Sequence, residues 1–207
     1  MRATSVMRFV IFGAVGFGIG WAVLGVLGGG FPMAEGVGAD LGGAIFSRGL
    51  PALLLYTPVL SLSGACGGAV LGLTFKDYRR VAILAVLGAV GFFLGSFIVV
   101  GLYFSLSFVQ AGYGLLEALS AAAMGLVVGA LLALSLRSFR RTVVLGLMGL
   151  VGFGIGGLVT TALQGFPVQP EGLFSLQTAA FGAIEGIIGG ASLGAALGAA
   201  EHGPRVR

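Results

Sequence analysis

Residues 81–104 read VAILAVLGAVGFFLGSFIVVGLYF, without one charged side chain. At 1.5 Å per residue a helix over this stretch is about 36 Å long, enough to cross a hydrocarbon core of about 30 Å. Lys76, Arg79 and Arg80 stand immediately before it. A charged edge followed by an uninterrupted apolar run is the pattern of a membrane-spanning helix, and the rest of the chain repeats it.

Of 207 residues, 57% are apolar, 40 are glycine and only 9% are charged, against about 25% charged in an average soluble domain. Mean hydropathy is +1.10. These figures exclude an ordinary soluble globule and a disordered chain. A single cysteine, Cys66, excludes a disulfide scaffold. The net charge of +4 does not indicate nucleic acid, because the basic residues sit at the edges of apolar runs. The first run is too long for the core of a cleaved signal peptide and is expected to stay in the chain.

Six runs meet the length and polarity of a span: about 9–29, 51–75, 81–104, 113–136, 142–164 and 174–200. The chain reads as one all-α integral membrane domain over 1–207. The connection 30–50 is longer than the others and has room for an interfacial helix. Pro51 suits a first helical turn, and Pro58 predicts a kink. Ten of the eleven basic residues fall on one side: Arg2, Arg8, Lys76, Arg79, Arg80, Arg137, Arg140, Arg141, Arg205 and Arg207. Arg48 falls on the other side, with Glu35, Asp40 and Glu171. The positive-inside rule then places both termini in the cytoplasm of a cell with a plasma (inner) membrane. Tyr103 and Tyr113 stand at the expected outer boundary and Tyr78 at the inner one.

The pattern within 81–104 also recurs. Shifted by 61 residues without gaps, 64–95 falls on 125–156 with thirteen of 32 positions identical. Gly88–Ala–Val90–Gly91–Phe92–Phe–Leu–Gly95 returns as Gly149–Leu–Val151–Gly152–Phe153–Gly–Ile–Gly156 and as Gly13–Ala–Val15–Gly16–Phe17–Gly–Ile–Gly20. The loops after spans one and five both read Gly–Phe–Pro, at 30–32 and 165–167. The unit is a two-helix hairpin in three parallel copies, about 8–78, 79–139 and 140–205, and the expected architecture is an approximate pseudo-threefold bundle.

The even spans carry small residues at every fourth position: Gly64, Gly68 and Gly72; Ala121, Gly125, Gly129 and Ala133; Gly182, Gly186, Gly190, Gly194 and Gly198. Lipid is as apolar as leucine, so helices in a bilayer associate through close backbone packing at small residues rather than by hiding apolar surface. Such a row drifts about 40° per step around a 3.6-residue helix. Span six is therefore expected to cross one neighbour at a right-handed angle, or to touch two in succession. Three hairpins match mitochondrial carriers in helix count only. The proline, acid and base expected at the ends of odd helices are not found after Gly28, Tyr103 or Gln164.

Glu185 is the one ionisable residue near mid-span, about 11 residues and about 17 Å into span six. An acid at that depth is a candidate functional site. It breaks the repeat, since its equivalents at offsets of 65 and 126 are Ser120 and Val59. Three states suit it: protonated and hydrogen-bonded to a neighbour, handling a proton or cation in a polar cavity, or paired with a basic residue of another subunit. Glu117 is expected as a solvated interfacial acid. Ser61, Ser63, Thr160, Thr161, Ser192 and Gln177 are the other polar groups within spans, and serine and threonine there usually bond their own backbone.

Catalytic motifs fail on context. Gly190–Ala–Ser192–Leu–Gly194 fits a nucleophile elbow in letters, but lies in helix interior rather than in a strand–turn–helix. Ser63–Gly64–Ala65 is similar to the serine motif of rhomboid proteases. Its base is missing, because the only histidine, His202, is expected beyond the far end of span six. One His and one Cys support no zinc, haem or iron–sulfur site, and Gly28–Gly29–Gly30 lacks the Lys of a phosphate loop. No cofactor, metal or nucleic acid is expected. The partners expected are the lipid bilayer and other membrane proteins or further copies of the chain. The function expected is a non-catalytic scaffold or accessory subunit, or alternatively a small-solute or ion transporter or channel using Glu185.

Overall fold

The computed structural model describes residues 2–28, 50–107, 113–136, 138–164 and 176–202. Six helices make up nearly all of them: α1 (Arg2–Gly28), α2 (Leu50–Gly72), α3 (Tyr78–Ser107), α4 (Tyr113–Leu134), α5 (Phe139–Gln164) and α6 (Leu176–His202). Each contains a segment long and apolar enough to cross a membrane. The protein is thus an all-helical, multi-pass membrane protein. The 30–49 connection, both Gly–Phe–Pro loops, Arg137, Arg205 and Arg207 lie outside the described residues, as do the side chains of Tyr103, Tyr113, Gln177 and His202.

Two boundaries differ from those that hydropathy predicts. Helix α1 starts at Arg2 rather than near Phe9, because hydropathy marks where a helix meets lipid, not where its hydrogen bonding begins. Residues Leu73–Phe75, expected as the end of span two, tighten into a 3-10 turn. Lys76 follows in the left-handed region (φ 54°) and reverses the chain. Asp77 then caps α3: its Oδ1 accepts the Arg79 N–H at 3.0 Å, satisfying a first-turn donor that has no partner within the helix.

The helices form a closed ring in chain order, each against its sequence neighbours, with α6 returning to α1. The exposed face is as apolar as the interior. Leu62, Val86, Leu115 and Leu158 all stand outward, Leu62 with 73% of its surface exposed. Such a surface is stable only against lipid or another apolar partner.

Glycines lie where backbones meet. Gly64 and Gly88 (α2, α3), Gly125 and Gly149 (α4, α5) and Gly190 and Gly13 (α6, α1) are reciprocal pairs. A Cβ on either member would strike the carbonyl oxygen of the other. Along α6, Gly182, Gly186, Gly190 and Gly194 meet Trp21, Phe17, Gly13 and Phe9 in turn. The contacts on α1 also step by four, so one neighbour takes the whole row.

At the axis, Phe17, Phe92 and Phe153 meet, each with no exposed surface. Their ring centroids are 5.8–6.4 Å apart, within the range of favourable aromatic pairs. Trp21 lies one turn beyond, 5.9 Å from Phe92 and 6.1 Å from Phe153. This layer divides the core. Towards the chain termini the buried side chains are apolar: Leu71, Leu84, Leu132, Leu145, Leu193 and Leu197. On the far side lie the buried polar residues Thr57, Ser63, Ser96, Ser120, Thr160 and Glu185.

The described basic side chains cluster at the end carrying the termini, the basic end of the bundle. Arg80 of α3 donates from Nη1 to Glu201 Oε1 of α6 at 3.1 Å, and its guanidinium lies 4.7 Å from the centre of the Phe75 ring. Phe75 in turn meets Phe9 of α1 edge to face at 5.1 Å.

Candidate functional site

Glu185 projects from α6 into the half of the core beyond the phenylalanine layer, where only 5% of it is exposed. The space it occupies is created by α5. A Cβ on Gly156 would lie 3.0 Å from both Cα and Cγ of Glu185. The other two motif-closing glycines face different residues: Gly20 meets Ser63 and Gly95 meets Met124. The residues met by Gly20, Gly95 and Gly156, namely Ser63, Met124 and Glu185, are spaced by 61 positions in the chain.

The polar side chains near it divide by whether they are satisfied. Ser63 Oγ donates to Gly20 O at 2.8 Å and also lies 3.1 Å from Val59 O. Ser61 bonds Thr57 O, and Thr160 bonds Gly157 O, both within their own helices. Ser192 departs from the expected pattern by reaching across to Met148 O of α5 at 2.8 Å. Thr57 Oγ1 and Ser96 Oγ lie 3.4 Å apart. By contrast, Trp21 Nε1, Ser120 Oγ, Thr161 Oγ1 and Glu185 Oε1 are sealed from solvent with no hydrogen-bond partner among the described residues. Native interiors satisfy nearly all such atoms, so each exception calls for a physical cause.

Glu117 differs from its expected role. It is half-buried, and its Oε2 is sealed from solvent. Ser120 stands one turn along the same helix. Gly157 of α5 packs on Ala118 and Ala121.

Ser63 and Ser192, the serines of the two catalytic-motif matches, both lie within helices. Ser63 has its hydroxyl engaged by carbonyl oxygens, and Ser192 is inside α6. No group of three or more His, Cys, Asp or Glu residues that would hold a metal occurs among the described residues. A groove of about 400 Å³ between α1 and α2 is lined by Ile19, Val23, Pro58, Leu62 and Cys66, with Gly20, Val59 and Ser63 at its base. Its walls are apolar, as a face towards acyl chains requires.

Fold and site together define a multi-pass helical membrane protein with an acid buried in its core. Comparison with protein families, with curated proteins and with solved structures gives no match to this chain.

Proposed function

We propose that this is a non-catalytic membrane protein, a scaffold or accessory subunit of a membrane complex. The observation that supports it best is the closed axis: Phe17, Phe92 and Phe153 fill the centre without exposed surface, and Trp21 covers two of them. Among the described residues, a bundle sealed in this way leaves no continuous polar path along its axis. We read the chain as three copies of a two-helix hairpin around a pseudo-threefold axis, held by glycine-rich packing. The three reciprocal glycine pairs and the phenylalanine at one motif position of each odd helix support that reading. The α6–α1 pair is slid one turn relative to the other two, since Gly190 takes the place that strict 61-residue spacing assigns to Gly186.

The clustering of basic residues favours a plasma-membrane protein with both termini cytoplasmic. Co-purification from native membranes under mild detergent tests the scaffold role. A stoichiometric membrane partner is expected, and solute flux by the purified protein alone in liposomes, abolished by Glu185→Gln, would overturn it.

A second reading, a small-solute or ion transporter or channel using Glu185, is favoured by one observation. Glu185 Oε1 is buried without a hydrogen-bond partner among the described residues, and an unsatisfied acid in a membrane interior is costly unless a proton or cation occupies it.

A further inference from the structure

We propose that Arg140 and Arg141, at the basic end of α5, hold the phosphate of an anionic phospholipid whose acyl chains lie along the outer face of that helix. This is independent of any role for Glu185.

The turn that leads into α5 matches the one that leads into α3 in backbone but not in charge. An offset of 61 sets Asp77, Arg79 and Arg80 on Ser138, Arg140 and Arg141. Val81 N–H donates to Asp77 O, and Thr142 N–H donates to Ser138 O, each at 3.0 Å. At α3 two carboxylates accompany the two arginines. Asp77 Oδ1 accepts the Arg79 N–H at 3.0 Å, Asp77 Oδ2 lies 4.0 Å from Arg80 Nε, and Glu201 accepts from Arg80 Nη1 at 3.1 Å. At α5 a serine stands where the aspartate was, and neither arginine has an ion-pair partner among the described residues.

The described acids are Asp77, Glu117, Glu185 and Glu201. Arg80 engages the first and the last, and the other two lie beyond the phenylalanine layer. Yet Arg141 is half-buried, more enclosed than its counterpart Arg80. A partly desolvated charge without a counter-ion is costly. A phosphate supplies oxygens that match the planar fork of a guanidinium group.

The surface below the arginines selects a lipid over a free phosphate. Val143, Leu147, Val151, Ile155 and Leu158 of α5 are all exposed. Residues at steps of three and four share one face of a helix, so this stripe starts one turn from Arg140 and runs for about 22 Å. A free anion would satisfy the arginines alone. A phospholipid satisfies the arginines with its head and covers the stripe with its chains.

Native mass spectrometry of the purified full-length protein in a neutral detergent tests this, with phosphatidylglycerol and phosphatidylcholine of equal chain length titrated separately. One phosphatidylglycerol is expected to bind about thirtyfold more tightly than phosphatidylcholine, the combined effect of two arginines at a membrane surface. That preference is expected to be lost when Arg140→Ala and Arg141→Ala are combined. It is expected to fall in Ser138→Asp, which supplies the carboxylate that Asp77 supplies at α3, and to persist in Arg79→Ala. Thermal melts confirm that each variant is folded. Equal binding of the two lipids, as when the arginines instead meet an acidic partner protein, overturns the proposal. A preference that survives the double variant, or that Arg79→Ala removes equally, overturns the location. Displacement of phosphatidylglycerol by an equimolar amount of inorganic phosphate overturns the lipid in favour of a free anion.

Discussion

Gly64 and Gly88 face each other across α2 and α3 with each carbonyl oxygen in the place a side chain on the other would need. Gly88→Ala is therefore expected to force the two helices apart and lower stability by about 1–3 kcal/mol. Gly101, further along α3, has nothing within 4 Å of the position a methyl group would take. Gly101→Ala is accordingly expected to be neutral or to stabilise by up to about 1 kcal/mol through helix propensity. Thermal melts of both variants in the same detergent check the contrast, and equal losses would refute the packing argument.

Phe153 fills the axis from α5 and touches both other phenylalanines and Trp21. Truncation to alanine removes a fully buried ring and is expected to cost about 3–5 kcal/mol. Phe139, on the same helix and 85% exposed, is the control. Its alanine variant is expected to change the melting midpoint little.

Arg80 joins α3 to α6 through Glu201 and lies over Phe75. Because both charged partners are partly solvated, the ion pair is worth about 0.2–1 kcal/mol. A double-mutant cycle with Arg80→Ala and Glu201→Ala is expected to return a coupling of that size and to shrink in high salt. Arg80→Lys keeps the charge but loses the flat stacking surface, and is expected to fall between wild type and Arg80→Ala.

Lys76 holds a left-handed backbone conformation at φ 54°, which costs a non-glycine residue about 1–2 kcal/mol. Lys76→Gly is expected to raise the melting midpoint through relief of that strain, partly offset by the greater freedom of glycine in the unfolded chain. A lowered midpoint would mean that the lysine side chain makes a stabilising contact there.

Glu185 is a buried acid whose Oε1 has no hydrogen-bond partner among the described residues. Glu185→Met, of similar length and without polar demand, is expected to stabilise the isolated protein by about 1–4 kcal/mol. Sites kept for function commonly show this opposition between stability and activity. A large loss of stability would instead mark the carboxyl as a structural element.

Much of the architecture is legible in the sequence, because a bilayer imposes simple demands. A helix must be long and apolar enough to cross it, and the six runs meet that condition within a few residues at most ends. The repeated Val–Gly–Phe motif marks Phe17, Phe92 and Phe153, and the fourth-position rows mark Gly64, Gly125 and Gly190. Those signals are local, so periodicity in one segment reveals them. The 3-10 turn at Leu73–Phe75 is not visible in this way, since its residues are as apolar as the helix before it.

The sequence by itself determined that this chain has six segments long and apolar enough to cross a membrane, and that one acid, Glu185, is out of place among apolar neighbours. Only the tertiary structure decided what that acid faces. It set Glu185 against Gly156, beyond an aromatic layer and on the same side of it as the other buried polar residues. Hydropathy and periodicity are properties of single helices, whereas this grouping depends on the register between helices. That register is set by where glycine lets two backbones close, and the contacts it creates join residues far apart in the chain.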